Sequence, residues 1–341
     1  GYMLGDIKLA TLSDTDTTTP ASTNLVTNGT FASASNWTGI SGASTAITGG
    51  AMVFTNGGGY GGFYQSLGAL TAGKSYTLSF DVTSFTTAGA VFTLADTAFG
   101  VSFSGTGSYS FVTAPIVGSD PYIRLYATAA GAFTIDNVSV VVAESDRSVN
   151  GNGLQVFGTL SKDPVATGAD LVGYSGWSAS NYLAQPYNSD LDFGTGDFSV
   201  MGWFNAPSVG GGQTIFSKGD NVNGINMWMA SDLKYLTIYI LGSAFTTPQG
   251  AYGNDVWNHV VAKRASGVVN VWINGVLLKT GSSTANASYT TTAKIGVNCN
   301  SNTKLALVRI SATAPTAEQI AKIYNDEKHL FTTNAKATLY G

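Results

Sequence analysis

Charge is scarce in this chain of 341 residues. Asp, Glu, Lys and Arg together make up 11%, less than half of the roughly 25% typical of soluble proteins. The formal net charge is -4, and Lys and Arg are scattered, so the electrostatic grip that nucleic acid requires is missing. Cysteine is nearly absent: Cys299 is the only one. That excludes an intrachain disulfide and a thiolate metal cluster, and a lone thiol suits folding in a reducing cytosol. Two histidines, His259 and His329, give zinc too few soft ligands. No apolar run approaches the roughly 20 residues of a membrane-spanning helix, and no segment reads as an export signal.

What fills the sequence is Gly (42 residues) with Ser, Thr and Asn, beside 44% hydrophobic residues. Hydroxyls and amides then supply the surface polarity, and glycines the turns, of a protein made of many short strands. In Ser75–Val82, Tyr76, Leu78, Phe80 and Val82 share one face, the period of two of a half-buried strand. Similar runs at Ala90–Leu94, Tyr109–Val112, Tyr122–Tyr126 and Phe133–Val142 predict a first antiparallel sandwich over 24–142. Residues 1–23 read as a polar lead-in, and 143–173 as a linker and the segment leading into a second sandwich over 174–330. A tail follows at 331–341. In the second sandwich, Phe198–Phe204, Thr214–Ser217, Ile225–Met229, Tyr235–Leu241, Trp257–Arg264, Val268–Ile273 and Leu305–Ile310 read as strands. Asn274-Gly275 after VNVWI predicts a tight hairpin, since both residues accept positive φ. Thr316 and Gln319 can form a capping box, and Ile320, Ile323 and Tyr324 make an apolar stripe, so Ala317–Lys328 is the one predicted helix. The fold class is all-β: two tandem antiparallel β-sandwich (jelly-roll) domains, with one short C-terminal helix on the second.

Three stretches carry resemblances. Asn24–Phe31 with Trp37, Ala72–Tyr76 with Leu78–Asp81, and Ile135–Val140 resemble the jelly-roll carbohydrate-binding modules appended to xylanases and glucanases. Leu191–Phe204, Ile215–Asp220, Trp257–Val261 and Val269–Val276 resemble concanavalin A-like sandwiches of the laminin-G-like group. Gly5–Asp14, Asp146–Gly153, and Tyr174-Ser175 followed by Asn181–Leu183 resemble tail or appendage proteins of bacteriophages. The last resemblance implies a virion location, with other virion subunits as neighbours and a homo-oligomer as the assembled form.

Enzymes share the concanavalin A-like fold, and their usual motif there is a strand bearing E-x-D-x-x-E, whose paired carboxyls act as nucleophile and acid. The three glutamates, Glu144, Glu318 and Glu327, fall in the linker and the terminal helix, so that route is excluded. Asp190 and Asp192 read as turn residues before a strand, and His259 as a structural residue in an alternating strand. The resemblances imply a candidate structural calcium. Asp136 falls on the first family's calcium carboxylate, while Ala32 stands where an acidic residue usually follows the Phe. Asp192, Asp197 and Asp220 are weaker candidates without a decisive spacing. Sugar binding asks instead for exposed rings beside amides and hydroxyls. The candidates in Gly-rich stretches are Tyr60, Phe63, Tyr174, Trp177, Tyr182 and Tyr252.

The expected function is therefore non-catalytic: a virion tail fibre or appendage that binds bacterial surface polysaccharide, or displays adhesive domains, with neither nucleic acid nor membrane as a target. Two alternatives stay open, a carbohydrate-binding accessory region of a secreted polysaccharide-degrading enzyme and a structural virion component without ligand.

Overall fold

The computed structural model describes residues 7–20, 23–40, 44–56, 61–87, 90–99, 103–118, 120–127, 131–148 and 150–337. The chain divides into two compact units, and the smaller interrupts the larger in sequence.

The smaller unit comprises residues 22–145 and 152–155. One five-stranded sheet runs Thr38–Ile40, Gly61–Ser66, Tyr122–Ala127, Ala90–Leu94, Thr97–Phe99; the other runs Ser44–Thr48, Ala51–Asn56, Gly131–Val142, Tyr76–Thr87, Gly107–Val112. Alternation decides which side chains are interior: Leu78, Phe80 and Val82 from one sheet, and Phe92, Ile123 and Leu125 from the other, are each at most 2% exposed. Phe80 and Phe92 meet edge-on at 5.0 Å. Phe31 and Trp37, from the segment that resembles the start of a carbohydrate-binding module, are core residues with ring centroids 5.4 Å apart. The Gly61-Gly62 pair opens a strand rather than a turn.

The larger unit comprises residues 1–21, 146–151 and 156–341. Its eight-stranded sheet runs Ser161–Pro164, Val172–Ser175, Lys304–Ser311, Phe198–Asn205, Asn258–Ala265, Val268–Ile273, Val276–Ser282, with Ile7–Thr11 also paired to Lys304–Ser311. Within the lead-in, Ile7–Thr11 is a strand of this sheet, and its Leu9 is fully buried. The stretch 143–173 likewise contributes strands. A seven-stranded sheet runs Gln155–Phe157, Tyr182–Gln185, Ala293–Ile295, Gly212–Gly219, Gly224–Ala230, Tyr235–Ile240, Ser243–Thr246. Asn274 and Gly275 take φ of 51° and 79°, the tight turn that their sequence implied.

The helix spans Ala317–Glu327 and opens on the complete Thr316–Gln319 capping box. Its Ile320 and Ile323 pack on Met201 and Val261 of the eight-stranded sheet. Glu327 fixes its far end, accepting from Trp203 Nε1 at 2.8 Å and pairing with Arg309 at 2.6 Å.

Arg264 anchors the 194–196 and 285 loops to this unit. It is fully buried, and its guanidinium donates to the carbonyls of Gly194, Gly196 and Ala285 at 2.7 to 2.9 Å while lying over the Phe198 ring. Among the described residues its hydrogen-bond partners are all backbone oxygens, which satisfy the buried cation.

Candidate functional site

With the helix seated on the eight-stranded sheet, the outer face of the seven-stranded sheet sets half-buried rings beside polar side chains that are themselves largely buried. Met227, Met229, Leu236 and Ile238 point into the core, each at most 1% exposed. Period-two alternation therefore turns Asn226, Trp228, Tyr235, Thr237 and Tyr239 outward. Register extends this face across four strands: Thr214 lies opposite Trp228 and Ser217 opposite Asn226, Asn226 opposite Tyr239, and Lys294 opposite Ser217.

Trp228, Tyr235 and Tyr239 are half-buried, with the Trp228 and Tyr235 centroids 5.7 Å apart. The indole lies across Gly212, where a Cβ would fall 1.9 Å from Trp228 Nε1. Only glycine leaves room for the ring at that position.

Two concavities open on this face. The larger, about 820 Å³, is lined by Thr214, Ser217, Asn226, Asn298, Lys294 and Asp220, among others. The smaller, about 330 Å³, has Trp228, Tyr235 and Tyr239 in its wall, with Thr237, Thr246 and Gln249 beside them. Hydroxyls and amides next to half-exposed rings suit a saccharide, whose CH faces stack on aromatics while its hydroxyls exchange hydrogen bonds.

The ring candidates named from sequence divide. Tyr182 is half-buried and stacks on Phe157 at 4.6 Å with an interplanar angle of 9°, and Lys294 Nζ sits 5.1 Å from the Tyr182 centroid. It belongs to the same sheet as the outward rings. Tyr174, Trp177 and Tyr252 are corrections. All three are at most 5% exposed, and each uses its polar atom inside the protein. Trp177 Nε1 donates to the Tyr174 carbonyl at 3.0 Å, the Tyr174 hydroxyl to Asp14 at 3.4 Å, and the Tyr252 hydroxyl to the Ala230 carbonyl at 3.1 Å. Phe63 packs on the core of the smaller unit. Tyr60 lies outside the described residues.

Sequence reasoning missed Trp228, Tyr235 and Tyr239, which sat inside segments correctly read as strands. Their alternation with Met and Ile was the available signal. The same alternation marks Tyr64, Tyr122 and Arg124 in the smaller unit. They stand on the outer face of the sheet, Tyr64 edge-on to Tyr122 at 5.4 Å, with Arg124 over the Tyr122 ring and paired to Asp96 and Asp120.

The carboxylates are occupied with structure. Asp136 accepts from the Asn137 N–H at 2.7 Å and faces Asp81 across the ladder. Asp81 is in turn held by Ser108 and Asn137, whose hydrogen bonds depress its pKa. Among the described residues no three His, Cys, Asp or Glu side chains converge, so Asp136 gathers no acidic ligand set for calcium. Asp192 pairs with the buried Lys218 and accepts from Tyr187 at 2.7 Å. Burial pushes its pKa up, but these bonds and the Lys218 charge hold it below the usual range. Asp197 caps the Ser266 N–H at 2.7 Å. Asp220 accepts from the N–H groups of Val222 and Asn223, and those backbone bonds lower its pKa. It is the one carboxylate lining either concavity, so neither holds the two acids of a glycosidase.

His259 is a core residue, as its strand pattern implied. It is 1% exposed, 5.1 Å from Trp203 and 6.2 Å from Tyr324. Burial, reinforced by the Arg309 charge, pushes its pKa down to about 3, which keeps it neutral. Cys299 is buried, donates to the Thr214 carbonyl, and has its pKa raised by burial, leaving an inert thiol.

Residues 178–321 match the Concanavalin A-like lectin/glucanases superfamily. The outward rings and both concavities lie inside the matched residues. No curated protein matches the chain. Among solved structures, the receptor-binding domain of botulinum neurotoxin C/D mosaic serotype is similar at 13% identity and a TM-score of 0.45, over 54% of this chain and 49% of that one. The binding domain of Paraclostridial Mosquitocidal Protein 1 is similar at 15% identity and a TM-score of 0.46, over 54% and 49%. The chain thus spans about half the length of these structures.

Proposed function

We propose that the outer face of the seven-stranded sheet binds a saccharide, and that the chain is a non-catalytic adhesive module presenting that face. The observation that carries the reading is the adjacency of the Trp228–Tyr235–Tyr239 wall to a cavity of about 820 Å³ rich in hydroxyls and amides. Rings supply flat apolar contact at low entropic cost, and Thr214, Ser217 and Asn226 supply donors and acceptors for sugar hydroxyls. The lectin/glucanase match over 178–321 supports the same reading. The resemblance of 5–14 and 146–153 to bacteriophage appendages favours a virion setting, with bacterial surface polysaccharide as the target.

A glycan array spanning bacterial capsular, O-antigen and wall polysaccharides tests this. Binding is expected to a restricted set, without cleavage of the bound glycans, and Trp228→Ala or Tyr239→Ala should lose it with the melting temperature maintained. No binding across the array, or variants that bind like the parent, would overturn the proposal.

A further inference from the structure

We infer that the saccharide is anionic, and that Lys294 with the Tyr182–Phe157 stack forms the subsite for its charged residue. This inference rests on the proposed saccharide face and adds its ligand class. Lys294 is the one cation lining either concavity. It is half-buried on the strand Ala293–Ile295, flanked by Tyr182–Gln185 on one side and Gly212–Gly219 on the other. No carboxylate lies within 4 Å of it among the described residues. This sets it apart from Lys162, Lys218, Lys322 and Lys336, which are each paired with an Asp.

The contact of Lys294 is the Tyr182 ring face at 5.1 Å, which stabilises the cation without cancelling its charge. Tyr182 is backed in turn by Phe157, which is 39% exposed. An ammonium held against an aromatic ring, and lining a cavity of hydroxyls and amides, presents one donor of full charge to a ligand in that cavity. Asp220 lines the same cavity with the opposite sign. However, it is exposed to solvent screening, and its carboxylate is engaged by two backbone N–H groups of its own turn. The half-buried Lys294 is the less screened of the two. Lysine is a point charge without a fixed fork, so the anion is a carboxylate, as in a uronic acid, or a phosphate, as in a phosphodiester-linked glycan.

The test uses the full chain on an array carrying uronate-bearing and phosphodiester-linked glycans, each beside its neutral counterpart, carboxyl-reduced or dephosphorylated. Acidic forms are expected to bind about tenfold more tightly than their neutral partners, the scale of one charge-assisted hydrogen bond. The pair showing that ratio identifies the anion. Lys294→Gln should collapse the ratio towards one and Lys294→Arg should keep it, with melting temperatures verifying the fold. Equal binding of acidic and neutral partners, or a ratio unchanged in Lys294→Gln, overturns the anionic subsite while leaving the saccharide face standing. Failure of every glycan to bind overturns both.

Discussion

Replacing Arg264 with Met tests whether a buried cation with carbonyl partners holds the larger unit together. Arg264 is fully buried and makes four hydrogen bonds to three carbonyls: two to Gly196 and one each to Gly194 and Ala285. Methionine fills much of the stem volume but leaves three carbonyls without their donor. At about 1–3 kcal/mol for each buried group left unsatisfied, the loss could reach several kcal/mol. Part is offset because the cation no longer has to be desolvated. The expected net loss is about 3–5 kcal/mol, a large share of the 5–15 kcal/mol of a typical domain. Urea unfolding followed by tryptophan fluorescence reads it selectively, because five of the six tryptophans belong to the larger unit. A stability within about 1 kcal/mol of the parent would refute the anchoring role.

Four further outcomes are expected. Trp177→Ala should destabilise the larger unit by about 3–5 kcal/mol, the cost of emptying a packed ring site; calorimetry showing an unchanged melting temperature would contradict its burial. Asp192→Asn should cost about 3–5 kcal/mol by leaving Lys218 buried without its counter-charge, which the same urea titration measures. Because the His259 pKa is depressed from 6.5 to about 3 on folding, the unfolded state takes up the proton first as pH falls. The contribution is fully present above pH 6.5 and lost on acidification, at up to about 1.4 kcal/mol per pH unit. Unfolding titrations at pH 7 and pH 5 should therefore show a drop of about 2 kcal/mol that His259→Phe lacks. Millimolar calcium and excess chelator should give melting temperatures within about 1 °C of each other, because the carboxylate facing Asp136, that of Asp81, already accepts from Ser108 and Asn137.

Much of the fold was legible because alternation encodes burial directly. Met227, Met229, Leu236 and Ile238 face inward wherever the chain is extended, and the Thr316–Gln319 box announces its helix start. What local pattern could not reveal was pairing between distant segments. Nothing within Ile7–Thr11 says that its partner is Lys304–Ser311, so from sequence the segment reads only as part of a polar lead-in. The ring candidates failed for a related reason. Gly-rich surroundings suggest exposure, yet Gly296 sits against Trp177 because the indole needs that space: a Cβ there would meet the ring at 2.1 Å. A glycine beside an aromatic can mean a loop or a close contact, and only the tertiary neighbour decides. Gly212 makes the same point within a strand: the Trp228 indole lies across it, and a Cβ there would fall 1.9 Å from the ring.

Oxidation of tryptophan by N-bromosuccinimide, mapped by peptide mass spectrometry with and without a saturating array-identified glycan, tests the saccharide face most directly. Bound sugar should slow the modification of Trp228 strongly, while Trp257 and Trp272, on the other sheet and its flank, react at their unliganded rates. Trp228 reacting equally fast in both samples would mean that the glycan sits elsewhere.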